Sequence, residues 1–371
     1  MKFSINGRFL SQSLTGVQRY AAEIVKATDR LLASKQAPQQ LLDAEWQILA
    51  PPNAQTLAGL RHIRLKHVGT FRGHAWDQID LARAASGTRL ISLANSGPVL
   101  HRDHLVVLHD AQVFRRPDFF SRRYLALHRT LGHLLARTAR IATVSAFSRN
   151  ELADVLSLDP ASIPIIPNSA EHFASVDPQF SIIETLRLEP YRFFLFVGSM
   201  TKNKNVETAI RAAEQLGRTD FPMVVVGGDN NKVFGGRSSE SGAGIIVAGR
   251  LKDEELAALF ARATAFVFPS LYEGFGIPPL EAMYFGCPVI ASSAPAIRET
   301  CADAAAYFDP LDADELSARM RERIDLGRIS PMEQEQQRKR LATYSWNKSA
   351  AILLDVLGKL VPQDATAGPS R

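Results

Sequence analysis

Residues 266–282 read FVFPSLYEGFGIPPLEA, and this stretch passes from a strand through a glycine turn into a helix. The apolar run stops at Ser270, and Pro278 suits the first turn of a helix because its missing N–H would have no partner there. A strand that leads directly into a helix is the repeating unit of doubly wound α/β domains. The stretch therefore predicts an α/β fold with parallel strands.

Short apolar runs alternate with helical patterns along the rest of the chain. Runs such as 193–197 and 223–227 are apolar on both faces, which is typical of parallel strands covered by helices on both sides. We expect strands at 2–6, 46–50, 62–68, 89–94, 105–109, 141–145 and 163–167 in the first half, and at 193–197, 223–227, 245–248, 265–269, 289–292 and 305–308 in the second.

The 371 residues exceed one ordinary core, and two domains of similar size are expected. A segment without clear periodicity, 172–181, separates the two strand–helix series, so we place Rossmann-like domains at 1–180 and 181–344. An amphipathic helix at 345–361 would cross back to the first domain, and the polar tail 362–371 is expected to be disordered. Ligands of such folds bind at the carboxyl ends of the strands, in the cleft between the domains.

The composition is that of an ordinary globular protein, with 46% hydrophobic and 22% charged residues. Two cysteines, Cys287 and Cys301, are too few for a disulfide framework. We find no signal-peptide pattern and no uninterrupted apolar run of about 18 residues. We therefore expect a cytoplasmic protein, which could still lie at the inner face of the plasma membrane as a peripheral protein.

The basic residues are unevenly distributed. Residues 1–190 hold 22 Lys and Arg against 16 Asp and Glu, whereas residues 191–371 hold 21 against 22. Within 101–150 there are nine arginines and three acids. This imbalance predicts an anionic partner for the first half, although scattered solvated charges would account for it equally well.

The glycine turn of the opening stretch is a candidate ligand site. Free amides at the N-terminus of a helix attract anions, because they add to the positive end of the helix dipole. Glu273 precedes the turn and Glu281 lies one helical turn beyond it, so both carboxylates could accept hydrogen bonds from ligand hydroxyls. Taken alone, Glu281 could equally be a solvent-facing side chain. The amides concerned are those of Gly274, Phe275, Gly276 and Ile277.

The pair Glu273 and Glu281, within PSLYEGFGIPPLEAMYFGCPVIAS, resembles the signature of a large family of retaining GT-B glycosyltransferases. The family is glycosyltransferase family 4 (group 1), which includes sucrose synthases and bacterial mannosyl- and glucosyltransferases. The resemblance extends over about residues 104–350 and implies two Rossmann-like doubly wound domains facing a cleft. It implies that Glu281 binds the ribose, that Glu273 faces the donor sugar, and that the amides of Phe275 and Gly276 hold sugar or phosphate oxygens.

A second strand–turn–helix segment, FVGSMTKNKNVET at 196–208, contains two lysines beside the helix start. Either Lys202 or Lys204 could neutralise a diphosphate there. The resemblance favours Lys204, because it precedes Asn205 as the family's phosphate-binding lysine does. Many family members carry an arginine where this chain has Ser199, so neutralisation here would depend more heavily on Lys204.

The resemblance assigns further residues to the cleft. His109 ends a buried strand, and the family has a histidine at this place that contacts the donor sugar, while Asp110 could orient the ring or cap the loop. Gly16, after the first strand, allows close backbone approach where donor and acceptor would meet. Gly198 belongs to the lysine turn, and Arg250 would be a helper near the nucleotide. The segments 143–148 and 166–169 are taken as structural.

Residues 119–140 predict an amphipathic basic helix. We expect its apolar stripe to pack on its own sheet, with the arginines facing outward toward anionic lipid or a pyrophosphate-linked acceptor. The stripe consists of Phe120, Tyr124, Leu127, Leu131 and Leu134, and the arginines are Arg122, Arg123, Arg129, Arg137 and Arg140.

Several other functions lack their motifs. No Gly-x-Gly-x-x-Gly follows the first strand and no Walker A sequence occurs, which counts against nicotinamide enzymes and NTPases. The one Asp-x-Asp, at 312–314, fits a helix cap better than a metal site, and no recognition motif supports nucleic-acid binding. The sequence thus predicts a metal-independent enzyme without a cofactor.

The predicted activity is hexosyl transfer from a nucleotide sugar, with retention at the anomeric carbon. GDP-mannose is the first expected donor, followed by UDP-glucose and dTDP-rhamnose. The expected acceptor is a saccharide or a saccharide linked to polyprenyl pyrophosphate, held by the first domain, while the second holds the nucleotide. Alternatives are a catalytically inactive nucleotide-sugar-binding partner and a GT-B sugar-nucleotide epimerase.

Overall fold

The computed structural model describes residues 1–228 and 244–360. Its parallel strands fall into two groups, one in each half of the described chain. The first group is β1 (Lys2–Asn6), β2 (Glu45–Ala50), β3 (Arg64–His67), β4 (Arg89–Ser92), β5 (His104–Val107) and β6 (Arg140–Ala142). The second group is β7 (Phe194–Val197), β8 (Met223–Val226), β9 (Ile245–Gly249), β10 (Ala265–Phe268), β11 (Val289–Ser292) and β12 (Ala306–Phe308).

Each group forms one parallel sheet. The strand orders are β3-β2-β1-β4-β5-β6 and β12-β11-β10-β7-β8-β9. Counted from its own first strand, each sheet therefore has the order 3-2-1-4-5-6 of a Rossmann fold. Every residue of β5, β8, β10 and β11 is buried, which explains why these runs are apolar on both faces. The expected α/β architecture of two doubly wound sheets is confirmed.

Helices follow the strands and cover both sheets. Short 3-10 turns at Gly7–Ser11, Glu171–Ser175 and Lys202–Lys204 and a π-helical turn at Trp76–Leu81 interrupt the pattern. The helices are α1 (Gly16–Ala33), α2 (Gln39–Leu42), α3 (Gly73–Ala75), α4 (Ala82–Ala84), α5 (Gln112–Arg115), α6 (Arg122–Thr138), α7 (Ala146–Leu156), α8 (Ser181–Thr185), α9 (Val206–Leu216), α10 (Asp253–Arg262), α11 (Ile277–Tyr284), α12 (Pro295–Cys301), α13 (Ala313–Leu326), α14 (Pro331–Thr343) and α15 (Trp346–Lys359).

The strand expected at 163–167 does not form. The segment contributes only an isolated parallel bridge between Ile165 and Thr143. Pro164 and Pro167 lack backbone N–H groups, so the segment cannot supply the donors of a regular strand. The other expected strands are present, with ends that differ by at most three residues.

The last helix packs on the first half of the chain. The rings of Tyr20 in α1 and Trp346 in α15 are 6.1 Å apart, and the Ser349 hydroxyl donates to the carbonyl oxygen of Pro167 at 2.7 Å. Buried side chains of both sheets belong to one continuous cluster. The core therefore does not divide the chain into two separate domains, and the expected domain limits stay predictions. The tail predicted at 362–371 lies outside the described residues.

Helix α6 is oriented differently from the expectation. Its stripe does not pack on the sheet, since Tyr124, Leu127 and Leu134 are 42%, 45% and 37% exposed. The buried arc contains Gly132, where a Cβ atom would lie 2.9 Å from the Phe114 ring. Because Gly132 has no side chain, α6 can approach the Phe114 ring closely on this side. The helix therefore buries the arc that contains Gly132, and the leucine stripe stays exposed.

Arg129 of α6 was expected to face outward, and this prediction is wrong. Its Nε donates to the carbonyl oxygen of Val113 at 2.8 Å, and its Nη2 donates to that of Phe114 at 3.0 Å. Arg122, Arg123, Arg137 and Arg140 are exposed as expected.

Candidate active site

Two turns of the second sheet bring opposite charges together at its carboxyl edge. Lys204 follows β7 and Glu273 follows β10, and these two strands are neighbours where the strand order reverses. Lys204 Nζ lies 2.6 Å from Glu273 Oε1, and the two side chains are only 20% and 14% exposed. Open α/β sheets bind ligands in the crevice at this reversal point. A largely buried charge pair therefore lies where a ligand of this fold would bind.

Asn205 holds the turn that carries Lys204. Its φ of 54° lies in the left-handed region, which asparagine tolerates better than most residues. Its Nδ2 donates to the carbonyl oxygens of Pro269 and Pro310 at 3.0 and 2.8 Å. These bonds join the end of β7 to the loops that follow β10 and β12, so the lysine turn is fixed against its neighbours.

The alternative lysine of the same turn has another partner. Lys202 Nζ donates to the carbonyl oxygen of Asp118 at 3.2 Å, across the cleft. Ser199 is exposed, and its hydroxyl lies 2.9 Å from that of Thr201. The structure thus brings Lys204, rather than Lys202, to the glutamate.

Four successive amides lie unpaired at the start of α11. Gly276 caps the helix at φ 94° and ψ 73° without a side-chain hydrogen bond, and Phe275 before it is buried. Within the described chain, none of the N–H groups of 274–277 donates to a protein acceptor. Pro278 and Pro279 carry no N–H, so the free donors of this helix end are concentrated in that short run. Such a run is an anion and hydroxyl cradle.

The amide cradle touches the first sheet directly at Gly274. A Cβ atom at this position would lie 2.0 Å from the carbonyl oxygen of His109, so only glycine fits. The Ser148 hydroxyl lies 2.9 Å from the carbonyl oxygen of His109 and 2.9 Å from that of Gly274. Ser145 Oγ also donates to the carbonyl oxygen of Gly274, at 2.5 Å. The serines at 143–148, expected to be structural, therefore fix the contact between the two sides of the cleft.

The His109 imidazole is buried and uncharged. Its Nε2 lies 2.9 Å from the carbonyl oxygen of Leu93, which can only accept, so Nε2 carries the proton and Nδ1 is an acceptor. The Tyr20 ring packs edge-on at 4.6 Å. Burial lowers the pKa of His109 to about 4, which leaves the ring neutral at physiological pH.

Asp110 couples the first sheet to the charge pair. Burial raises the pKa of its carboxyl to about 6, against a hydrogen bond from the Gln112 amide. The negative charge of Glu273 raises the pKa further, and the positive charge of Lys204 lowers it. Asp110 is therefore within electrostatic reach of the pair.

Glu281 is buried, and the solvent-facing alternative is wrong. Its Oε1 lies 3.0 Å from Nε2 of His172, and the two side chains are 10% and 3% exposed. A carboxylate only accepts, so Nε2 carries the proton and donates. Sequence reasoning missed His172, because it lies in a segment that was taken as a linker.

Comparisons with known proteins match the second half of this geometry to a family. The family model described as "Glycosyl transferases group 1" matches residues 179–345, which include Lys204, Glu273 and Glu281. Residues 179–345 are a glycosyl transferases group 1 domain. The Anabaena protein HepE, solved in complex with UDP and glucose, superposes with a TM-score of 0.74 over 97% of this chain and 100% of its own, at 16% identity. The fold of the whole described chain is thus GT-B.

Two curated relatives are bacterial mannosyltransferases. O-antigen chain mannosyltransferase B of Escherichia coli is 29% identical over 239 residues, which is 60% of this chain and 62% of that protein. O-antigen chain mannosyltransferase RfbU of Salmonella typhimurium is 24% identical over 324 residues, or 83% of this chain and 87% of that protein. The chain thus spans less than two thirds of the first relative and most of the second.

Three other expected residues are Gly16, Gly198 and Arg250. Gly16 approaches from the first sheet, where a Cβ atom would lie 3.6 Å from the Ile277 side chain. A Cβ atom at Gly198 would lie 3.6 Å from Cγ of Lys204. Arg250 is exposed, and within 1–228 and 244–360 its side chain makes no hydrogen bond or ion pair. The structure therefore brings His109, Lys204, Glu273 and Gly274 together, with Gly198 beside Lys204 and Gly16 beside Ile277.

Two further contacts join the group 1 domain to the first sheet, and sequence reasoning missed both. Arg19 forms a bidentate pair with Asp253, at 2.9 and 2.7 Å. The Glu299 carboxylate accepts from the amides of Ala146 and Phe147, both at 2.7 Å, at the N-terminus of α7. Each partner lies more than 150 positions away, and no local pattern signals such a pair.

Two features are absent from the part of the chain that the structure describes. None of its helices is long and apolar enough to cross a bilayer. None of its His, Cys, Asp and Glu side chains form a group of three or more that could hold a metal ion.

Proposed function

We propose that this chain is a retaining hexosyltransferase. It transfers mannose from GDP-mannose to a saccharide, or to a saccharide linked to polyprenyl pyrophosphate, in cell-surface glycan synthesis. The observation that carries the proposal is the Lys204–Glu273 pair beside the unpaired amides of 274–277. The relatives named as O-antigen mannosyltransferases support mannose as the sugar. UDP-glucose and dTDP-rhamnose are the next donors to test.

Donor binding would exchange the partners of both carboxylates. The diphosphate takes Lys204 and the amides of 274–277, which releases Glu273 to accept hydrogen bonds from hydroxyls of the donor sugar. Glu281 exchanges His172 for the ribose hydroxyls. Each carboxylate already has one hydrogen-bonded cation or N–H donor in the structure, so each is held in place before the ligand arrives.

The chemical step moves negative charge onto the leaving diphosphate. The acceptor hydroxyl attacks the anomeric carbon from the face that the diphosphate leaves, and the hydroxyl proton passes to the departing phosphate oxygen. Lys204 and the amides of 274–277 stabilise that charge, and fixed donors in a site withdrawn from water are worth more than solvated ones. We propose that no metal ion and no cofactor is required.

A nucleotide-sugar panel tests this function. The protein is incubated in excess EDTA with GDP-mannose, UDP-glucose and dTDP-rhamnose, and melting temperature and release of free nucleoside diphosphate are measured. A raised melting temperature with slow nucleotide release supports the proposal. Binding without release would indicate an inactive binding partner, and an isomerised sugar still attached to its nucleotide would indicate an epimerase. If nucleotide release is lost in EDTA and Mg²⁺ or Mn²⁺ restores it, the metal-free mechanism is contradicted.

An anionic membrane surface is the proposed second partner. The exposed leucines of α6, Leu127 and Leu134, are accompanied by the exposed Arg122, Arg123 and Arg137, and residues 119–140 contain no Asp or Glu. Apolar side chains bordered by cations are suited to the interface of an anionic bilayer. A lipid-linked acceptor would be reached at the inner face of the plasma membrane.

A further inference from the structure

Three rings form a column at the start of α6, on the first-sheet side of the cleft. The rings of Phe120 and Tyr124 stack with centroids 5.0 Å apart, and those of Tyr124 and His128 with centroids 4.0 Å apart. The spacing of four residues places Tyr124 and His128 on one face of α6, and Phe120, just before the helix, stacks on Tyr124. Neighbouring rings cover both faces of Tyr124, so the 42% that is exposed is its edge.

The near end of the column adjoins the group 1 domain. Asp118, two residues before Phe120, accepts the hydrogen bond from Lys202 in the turn that also carries Lys204. Burial raises the pKa of the Tyr124 phenol, and the negative charge of Asp110 raises it further. The phenol is therefore within electrostatic reach of the carboxylate that is coupled to the Lys204–Glu273 pair.

The far end of the column meets the reversal point of the first sheet, between β1 and β4. The His128 ring packs edge-on against His74 at 5.3 Å, and His74 Nδ1 lies 3.3 Å from Nη1 of Arg8, which follows β1. Arg8 is paired at 2.9 Å with the fully buried Asp77. The reversal point of an open parallel sheet is where its ligand binds, so the column lies along the ligand crevice of the first sheet.

The column offers neutral hydrogen-bonding groups. Burial and the charge of Arg8 lower the pKa of His74, and burial, His74 and Arg8 lower that of His128, so both imidazoles are neutral at pH 7. A guanidinium only donates, which makes His74 Nδ1 an acceptor and leaves its Nε2–H as a donor. The charge of Arg8 is already compensated by Asp77. A phenol and two neutral imidazoles match sugar hydroxyls better than they match a phosphate.

We propose that Tyr124, His128 and His74 form the subsite that binds the acceptor sugar as a neutral, hydroxyl-bearing ring. The rings of Tyr124 and His128 lie 4.0 Å apart, so the polar edges of both can contact one sugar ring. This subsite rests on the proposed glycosyl transfer. It adds the side chains that hold the acceptor and the neutral chemistry of the sugar that they bind.

The test follows the imidazole resonances of the full chain. Histidine-labelled protein is titrated with methyl α-D-mannopyranoside, methyl α-D-glucopyranoside and N-acetylglucosamine, with mannose 6-phosphate as the anionic arm, and His74→Gln and His128→Gln assign the two signals. At least one neutral sugar is expected to shift both signals. No shift with any neutral sugar, or a shift with mannose 6-phosphate alone, overturns the proposal.

Variants separate this subsite from the donor site. Tyr124→Phe removes one hydroxyl and should weaken binding of the responding sugar about five-fold. Tyr284→Phe, at a tyrosine of similar exposure (38%) on α11, is the matched control and should not weaken it. The melting-temperature rise with GDP should persist in both variants. If GDP binds but no neutral sugar does, the subsite fails alone; if the sugar shifts the signals but no nucleotide binds, the glycosyl-transfer proposal fails instead. Equal weakening in both tyrosine variants also contradicts the subsite.

Discussion

The two sides of the cleft present different chemistry to their ligands. The second sheet offers an ion pair and a run of backbone amides, whereas the first offers ring edges and neutral imidazoles. Backbone amides are unchanged by most substitutions, so the amide run of the second sheet keeps its donors while the side chains around it vary. A substitution of Tyr124 or His128, in contrast, removes a hydrogen-bonding group. If the two sides bind donor and acceptor as proposed, donor binding should tolerate more substitutions than acceptor binding.

The largest expected effect is at Lys204. Lys204→Ala removes the cation beside the departing diphosphate and should lower kcat for GDP release from GDP-mannose about 10²–10³-fold. Lys202→Ala is the matched control, because Lys202 lies in the same turn but bonds to the Asp118 carbonyl. Comparable losses in both variants would contradict the assignment of the charge to one lysine.

The next effect is at Glu281. Glu281→Ala removes the proposed acceptor of two ribose hydroxyls and should weaken GDP binding by about 1.5–3 kcal/mol in calorimetry. Glu335→Ala on α14, whose side chain is 51% exposed, is the control and should leave the affinity unchanged. If GDP, UDP and dTDP all bind the Glu281 variant as tightly as the parent, the ribose assignment is wrong.

A smaller effect is expected at the exposed arginines of α6, which we propose to face an anionic membrane. Arg123→Ala should reduce binding to phosphatidylglycerol vesicles about five-fold, since one arginine near an anionic surface contributes about 1 kcal/mol. The parent's binding should fade as the Debye length falls from ~30 Å at about 0.01 M salt to ~8 Å at about 0.15 M. Arg338→Ala on α14 is the exposed control. If co-sedimentation at low salt finds no parent protein bound to the vesicles, the membrane is not a partner.

The last prediction concerns the folding stability, not ligand binding, and is made at Asp110, where the charges of the two sides meet. Its pKa is raised from 3.8 to about 6, so the folded state holds the ionised carboxylate at a cost that is present above pH 6 and vanishes below about pH 4. Asp110→Asn should therefore raise the free energy of unfolding at pH 7, and the gain should disappear at pH 4. Urea unfolding at both pH values measures this. A variant that is less stable than the parent at pH 7 would contradict the burial penalty.

The sequence predicted those parts of the molecule that depend on neighbouring residues. Both sheets, the Lys204 turn and the amide run before α11 follow from strand ends, glycines and prolines that are adjacent in the chain. The partners of Glu281 and Glu299 were not predicted, because they are contributed by segments far away in sequence. Such pairs depend on how the two sheets are placed, which no local periodicity encodes.

The orientation of α6 shows a second kind of limit. Its leucine stripe has the periodicity of a buried face, yet the inward arc is the one that contains Gly132. The choice between two adjacent arcs depends on where the Phe114 ring projects, and therefore on tertiary packing. Periodicity identified the amphipathic helix and did not identify the arc that is buried.

The return of α15 to α1 has a consequence for synthesis on the ribosome. One face of α1 packs on α15, which follows about 300 residues later in the chain. At about 5–20 residues per second, translation leaves that face uncovered for about 15–60 s after α1 has been made. The packing of α1 is therefore completed only after α15 has been made, and a ribosome stalled between the two helices would hold a nascent chain with an apolar helix face open to chaperones.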